Sequence, residues 1–314
     1  MAELKLLVAF DGSDAAGSAM RAAAALMPGA QATVLSAYDD RTALDEAAAA
    51  ALVAVPTEVL AGGIEALARE AREDARATAE RGRALAAEAG LEATADTRPA
   101  RRPWHAIRGA ADDIDADVIV CGSRGLGAFS RVVLGSTSTA LLHQAERPVL
   151  VVPEEAGEES GPVLVGYDGS EPARAAIAVA ARLLPGREAV VDHVWESAVR
   201  HTLSGRALAS APVADVREFT DDLDAYFRQS AAIVAEEGAA LAREHGLAAR
   251  VAATEAVAPA WRGLLANAHA SDAAVIVVGS HGRGTAKSML LGSVSSGLVH
   301  ATDMPVLVVR ARAA

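Results

Sequence analysis

Gly122, Gly125, Gly135 and Ser136 fall in a Gly-x2-Gly-x9-Gly-Ser pattern, and Gly279, Gly282, Gly292 and Ser293 repeat it. Glycine adopts positive φ and lets a ligand approach the backbone, so successive N–H groups can converge on an anion. A Gly-Ser pair that opens a helix adds unpaired N–H groups and the positive end of the helix dipole. Hydroxyls at Ser136 and Thr137, or at Ser293 and Ser295, are further donors. The chemistry on offer is phosphate binding. Neither copy is a Walker loop, because GTAKS at 284–288 has Ala286 where glycine is required, and Ser130 interrupts Gly-x-Gly-x-x-Gly after Gly125 and Gly127. A purely structural alternative makes the glycines turn formers and Ser136 and Ser293 N-caps. Recurrence of the whole pattern after the same apolar run favours the cradle.

That recurrence belongs to a larger repeat. LLVAFDGSDAA from Leu6 returns as VLVGYDGSEPA from Val163, and Asp168 lies 157 positions beyond Asp11. The same offset relates Trp104 to Trp261, Gly122 to Gly279 and Pro148 to Pro305. A period this long is a duplicated domain, since each copy can fold around its own core. Domain 1 is expected at 1–153 and domain 2 at 162–314, joined by a solvated linker at 154–161 rich in Glu, Gly and Ser.

Within each copy, apolar runs alternate with Ala-rich helical patterns. Strands are expected at 4–10, 32–38, 92–98, 117–122 and 148–152, and again at 162–167, 189–195, 248–254, 274–279 and 305–309. A long helix is expected over 63–90, with Ile64, Leu67 and Leu85 among alanines. Alternation of this kind implies right-handed crossovers and a parallel sheet covered on both faces. Each copy should therefore be a doubly wound α/β domain of five strands. Ligands bind such sheets beyond the carboxyl ends of the strands, where Asp11/Asp168, Tyr38/Trp195 and the glycine loops all fall. Residues 40–63 and 201–226 are long excursions after the second strand, read as lids or irregular connections.

The chain has 314 residues and a formal net charge of −12, with no dense Lys/Arg cluster to serve as a footprint for nucleic acid or an anionic membrane. Its apolar start, MAELKLLVAF, is too short for a signal sequence or a membrane span, so a cytoplasmic protein is expected. Cys121 is the only cysteine, which excludes an internal disulfide, and it reads as a core residue. Trp104, Trp261, His143 and His300 read as packing or capping residues, and Lys287 and Ser288 as either phosphate contacts or solvated loop residues.

The Asp-Gly-Ser opening, the run ADVIVCGSRG, the Gly-x2-Gly-x9-Gly-Ser loop and the closing PVLVV, present in both halves, resemble the universal stress protein family in its tandem form. The resemblance implies a five-stranded sheet of order 3-2-1-4-5 and ATP as ligand, with AMP or a cyclic nucleotide as alternatives. It implies that the Asp after strand one contacts the nucleotide, backbone after strand two receives adenine, and the loop holds ribose and phosphates. Carried onto this chain, one site comprises Ala9, Asp11, Ala37, Gly122, Arg124, Gly125, Gly127, Gly135, Ser136 and Thr137. The other comprises Gly166, Asp168, Val194, Gly279, His281, Gly282, Gly284, Gly292, Ser293 and Val294. The copies differ at Arg124/His281 and at Ala9/Gly166, where Ala9 places a Cβ on the expected ligand side. The family also implies that strands Val149–Val152 and Val306–Val309 meet as an intramolecular pseudo-dimer, and that chains form homodimers.

Three functions fit these expectations. One is an ATP-binding stress-response regulator with a nucleotide site in each domain. Another is a slow Mg²⁺-dependent ATPase on the same sites, with Asp11 or Asp168 near the metal; no nucleophile beside a base supports other enzymology. The third is an interaction module with one or both sites vestigial.

Overall fold

A computed structural model of the chain describes residues 3–39, 57–125, 134–156, 160–197, 213–256, 259–282 and 291–311, apart from the side chains of 57–64 and 213–220. It divides into two compact units, residues 1–157 and 158–314.

Unit 1 holds five parallel strands: β1 (Lys5–Ala9), β2 (Gln31–Tyr38), β3 (Glu92–Pro99), β4 (Val118–Gly122) and β5 (Val149–Val152), in the order β3-β2-β1-β4-β5. Helices α1 (Asp14–Leu26), α2 (Thr57–Glu88), α3 (Pro103–Asp113) and α4 (Ser136–Gln144) make the crossovers. Every residue of β4 and β5 is buried, as apolar runs require of strands covered on both faces. Unit 2 repeats this order with β6 (Val163–Gly166), β7 (Glu188–Asp192), β9 (Ala248–Ala252), β11 (Val275–Gly279) and β12 (Val306–Val309), and with α5 (Glu171–Leu183), α6 (Val213–Glu244), α7 (Ala260–Ala270) and α8 (Ser293–Ala301). The 3-2-1-4-5 order implied by the family resemblance thus holds in both units.

Three expectations change. Strand runs 189–195 and 248–254 are each interrupted in unit 2, giving a short parallel pair, β8 (Trp195–Glu196) with β10 (Glu255–Ala256), after β7 and β9 end. In unit 1 the equivalent β2–β3 ladder runs unbroken from Gln31↔Glu92 to Tyr38↔Pro99. The excursions are also partly regular: residues 57–63 and 213–226 are helical, and each helix starts directly after a proline in the sequence, a residue pre-set for a helix start. Residues 40–56 and 201–212 lie outside the described residues.

The third change is in the bounds of the first long helix, expected over 63–90 and observed at Thr57–Glu88. Leu67 and Leu85 are exposed, and the sheet-facing stripe of α2 is Ala75, Ala79, Gly82 and Ala86. A Cβ on Gly82 would come within 2.7 Å of the Phe10 ring and of Val34, and one on Gly238 of α6 within 2.6 Å of Tyr167. Small residues let the helix backbone sit on the aromatic ring that ends the first strand. That ring in turn precedes the Asp of each candidate site.

Candidate functional site

The loop after the fourth strand is fastened at both ends. Ser123 N donates to Val152 O (2.8 Å), and Gly135 N returns to Ser123 O (2.8 Å). Ser280 N donates to Val309 O (2.7 Å) and Gly292 N to Ser280 O (2.7 Å) in the second copy. Ser138 Oγ adds a bond to Gly122 O (2.7 Å), and Ser295 Oγ one to Ser280 O (3.1 Å). Gly122 and Gly279 serve close packing: a Cβ would stand 2.8 Å from the Ala15 carbonyl carbon and 2.7 Å from that of Pro172. The loop start is therefore pressed against the first turn of α1 or α5.

That turn carries the Asp. Asp11 Oδ1 accepts from Ser13 N (3.0 Å) and Ser13 Oγ (2.6 Å), and Asp168 Oδ1 accepts from Ser170 N (3.0 Å). Gly12 and Gly169 take left-handed φ values of 84° and 77°, which turn the chain into the helix capped by Ser13 or Ser170. The other carboxylate oxygen of each Asp faces the glycine loop. A Cβ on Gly125 would lie 2.5 Å from Asp11 Oδ2, and one on Gly282 would lie 2.6 Å from Asp168 Oδ2. These two glycines are thus required for the Asp and the loop backbone to share one space.

The last helix of each unit opens differently from α1 and α5. Gly135 and Gly292 are the N-caps of α4 and α8, and neither helix start has a side-chain cap bond. Ser136 and Ser293 are exposed first residues of the helix, so the N-cap alternative for them is not what the structure adopts. The first N–H groups of each helix are thus left without a side-chain acceptor, next to a turn that carries a carboxylate.

In unit 2 these features border one cleft of about 160 Å³. Gly166, Asp168, Val194 and Gly279 line it, together with His281, Gly282, Gly292, Ser293 and Val294. His281 Nδ1 lies 2.9 Å from Ser280 Oγ; its Nε2 is buried with no hydrogen-bond partner among the described residues. In unit 1, Asp11, Gly122, Arg124, Gly125, Gly135, Ser136 and Thr137 occupy the equivalent strand ends, and Ala37 pairs with Arg98 near the end of β2. Arg124 is turned to Glu155, 3.0 Å from Oε2, with Glu154 at 3.9 Å. Gly127, Gly284, Lys287 and Ser288 fall outside the described residues. The Ala9/Gly166 difference acts on packing: a Cβ on Gly166 would stand 2.9 Å from Leu264 Cδ1 and 3.1 Å from Val278 Cγ1, so the methyl there bears on the wall of the cleft.

The second cleft also contains residues that the motifs did not single out. Asp192 and His193 line it beside Val194, as do Ala260 and Leu264 of α7. The Asp192 carboxyl is buried, and that desolvation pushes its pKa up against hydrogen bonds from Asn267 and Thr254 and the nearby His193. A signal existed in AVVDHVW, where an acid interrupts a run of valines at the place of Leu35 in the first copy. Other residues behave as packing groups. Cys121 is buried, and burial pushes its thiol up to about 12. Trp261 packs against Gly297, whose Cβ would overlap the ring, and Trp104 stacks on His105 at 3.7 Å. Among the described residues no three of His, Cys, Asp and Glu gather as a metal cluster, and no helix is long and apolar enough to cross a membrane.

Comparison with known proteins matches the model of the Universal stress protein family to residues 4–153 and 160–310. A universal stress protein of Mycolicibacterium smegmatis is 36% identical over 201 residues, 63% of this chain and 63% of that protein. One from Mycobacterium tuberculosis is 31% identical over 231 residues, 70% of this chain and 69% of the relative. The crystal structure of a universal stress protein from Archaeoglobus fulgidus superimposes over 99% of this chain and 100% of its own, with a TM-score of 0.60 and 20% identity, a likeness of fold.

Proposed function

The chain belongs to the universal stress protein family, and on that premise we propose that it is a stress-response regulator that binds one adenine nucleotide in each domain. The observation that carries the reading is the cleft of unit 2, where Asp168, His281, Gly282 and the uncapped start of α8 line one space. Backbone N–H groups of the glycine loop and of Gly292–Ser293 would hold phosphates, and the Val194 segment would receive the base. In unit 1, Gly125, Gly135, Ser136 and Arg124 would hold phosphates, and the Ala37 segment the base. Two anion-holding elements in series suit ATP better than AMP or a cyclic nucleotide. Mg²⁺, where present, would lie beside Asp11 or Asp168, a single carboxylate being usual for an ion that keeps waters and phosphate oxygens. Occupancy would shift the chain's stability and the surface it shows a partner, because a ligand specific to the folded state stabilises it. The same proposal places the protein in the cytoplasm as a homodimer.

The test is calorimetric titration with ATP and Mg²⁺ of the unaltered chain, Gly125→Val, Gly282→Val and the double variant. Two sites, one, one and none are expected. Equal binding by all four removes the loop assignment, and no binding by the unaltered chain removes the proposal.

A further inference from the structure

A buried carboxylate in an apolar strand is costly unless something needs it. Asp192 has no solvent exposure, yet both of its oxygens are engaged. Oδ1 accepts from Thr254 N (3.1 Å), and Oδ2 accepts from Thr254 Oγ1 (2.9 Å) and Asn267 Nδ2 (2.8 Å). One side chain therefore joins the end of β7, the joint between β9 and β10, and the middle of α7. Asp192 and Val194 are two residues apart on the same chain segment, and Asn267 and Gly263 are one turn apart on α7. A Cβ on Gly263 would come 2.9 Å from Val194 Cγ1, so the helix meets this segment closely at two successive turns. The same helix contributes Ala260 and Leu264 to the cleft.

The first unit shows what happens without this arrangement. Its residues at the same repeat positions are Leu35 and Ala110, 1% and 0% exposed, and its β2–β3 ladder continues past Leu35 to Tyr38. In the second unit the pairs run to Asp192↔Ala252 and resume in the same register at Trp195↔Glu255, with His193 N donating to Ala252 O (3.2 Å) and Trp195 N to Thr254 O (3.0 Å) between them. A side-chain oxygen that takes a backbone N–H competes with ladder pairing, and Thr254 N is shared between Asp192 Oδ1 and His193 O (3.3 Å).

We infer that Asp192, bonded to Thr254 and Asn267, is a positioning group that shapes the base-receiving segment His193–Val194 and the α7 wall of the second cleft, and so sets that cleft's nucleotide affinity apart from the first. The inference rests on the proposed nucleotide binding. It assigns Asp192 no contact with ligand; the group acts through the backbone of the segment and through α7.

The decisive variant removes all the side-chain polar partners together: Asp192→Leu with Thr254→Val and Asn267→Ala. Replacing every partner of a buried network by apolar groups can be nearly neutral for stability, whereas Asp192→Leu alone strands the Asn267 amide and the Thr254 hydroxyl. Isothermal titration with Mg²⁺-ATP, fitted to two sites, should show at least a tenfold loss at the second site of the triple variant and no change at the first. The melting temperature of the triple variant should meanwhile stay close to that of the unaltered chain. Asp192→Asn, which keeps an acceptor for Asn267, should recover most of the loss. Hydrogen exchange supplies a readout independent of nucleotide: the amide of residue 254, which loses one of its two acceptors in the triple variant, should exchange faster. A folded triple variant with unaltered second-site affinity overturns the inference. If the unaltered chain binds no nucleotide, the proposed function falls by itself, and the positioning role is decided by exchange, with unchanged protection at 254 overturning it.

Discussion

The two glycine loops share their fastening and differ in what surrounds it. In both, the glycine opposite the Asp has no room for a Cβ, and the last helix opens on an uncapped Gly-Ser. Among the described residues, Arg124 with Glu154 and Glu155 stand beside the first loop, and His281 and the buried Asp192 beside the second. The shared features are backbone geometry, which fixes where an anion can sit. The unshared ones are side chains, which tune how firmly it is held. Duplication has kept the cradle and varied its electrostatics.

The largest effects should come from the shared part and be equal in both units. Gly122→Val and Gly279→Val each force a branched side chain into the backbone of the facing helix, at Ala15 or Pro172. A cost of about 2 kcal/mol or more is expected in each case, at the upper end of usual overpacking losses. Differential scanning calorimetry should show one domain's transition falling in each variant. A fall in only one of the two variants would break the equivalence of the units.

A smaller effect should separate the units by pH. Burial raises the Asp192 pKa, so its folded value lies above the ordinary 3.8. Between those two values the folded state binds more protons than the unfolded one, and stability falls as pH rises. The contribution is complete below pH 3.8 and is lost as pH passes through the folded value. Leu35, at this place in unit 1, titrates nothing. Thermal melts across this range should show Asp192→Asn losing that part of the slope while Leu35→Val keeps the parent pH dependence. An unchanged slope in Asp192→Asn would remove Asp192 as its source.

Strand positions, the duplication and the loop glycines were legible because each depends on local pattern: period-two or continuous apolar runs, and glycine where backbone must approach backbone. The interrupted ladder at 193–194 was not, because the run AVVDHVWES reads as one strand unless the partners of Asp192 are known, and Thr254 and Asn267 are 62 and 75 residues away. The buried face of α2 was not legible either. Leucine usually marks a buried face, but here the sheet lies so close that only Ala75, Ala79, Gly82 and Ala86 fit, which turns Leu67 and Leu85 outward. The candidate site is split in the same way: its cradle is written in glycines, its electrostatics in contacts between distant segments.

The smallest effect concerns those contacts in the first unit. Arg124 donates to Glu155, while Glu154 O accepts from Ser18 Oγ (2.9 Å), which holds this acidic pair against its own domain. Phosphate oxygens drawn to the first loop would compete with the two carboxylates for one guanidinium. Glu154→Gln with Glu155→Gln should therefore raise first-site affinity for Mg²⁺-ATP, and leave the second site, with His281 in place of Arg124, unchanged. The glutamates are exposed and the pairing is screened, so the gain should be about two- to fivefold, matching the roughly 1 kcal/mol ceiling of surface ion pairs. Raising salt should shrink the difference between variant and parent. A gain of equal size at both sites would mean that net charge, rather than the Arg124 contact, distinguishes the two loops.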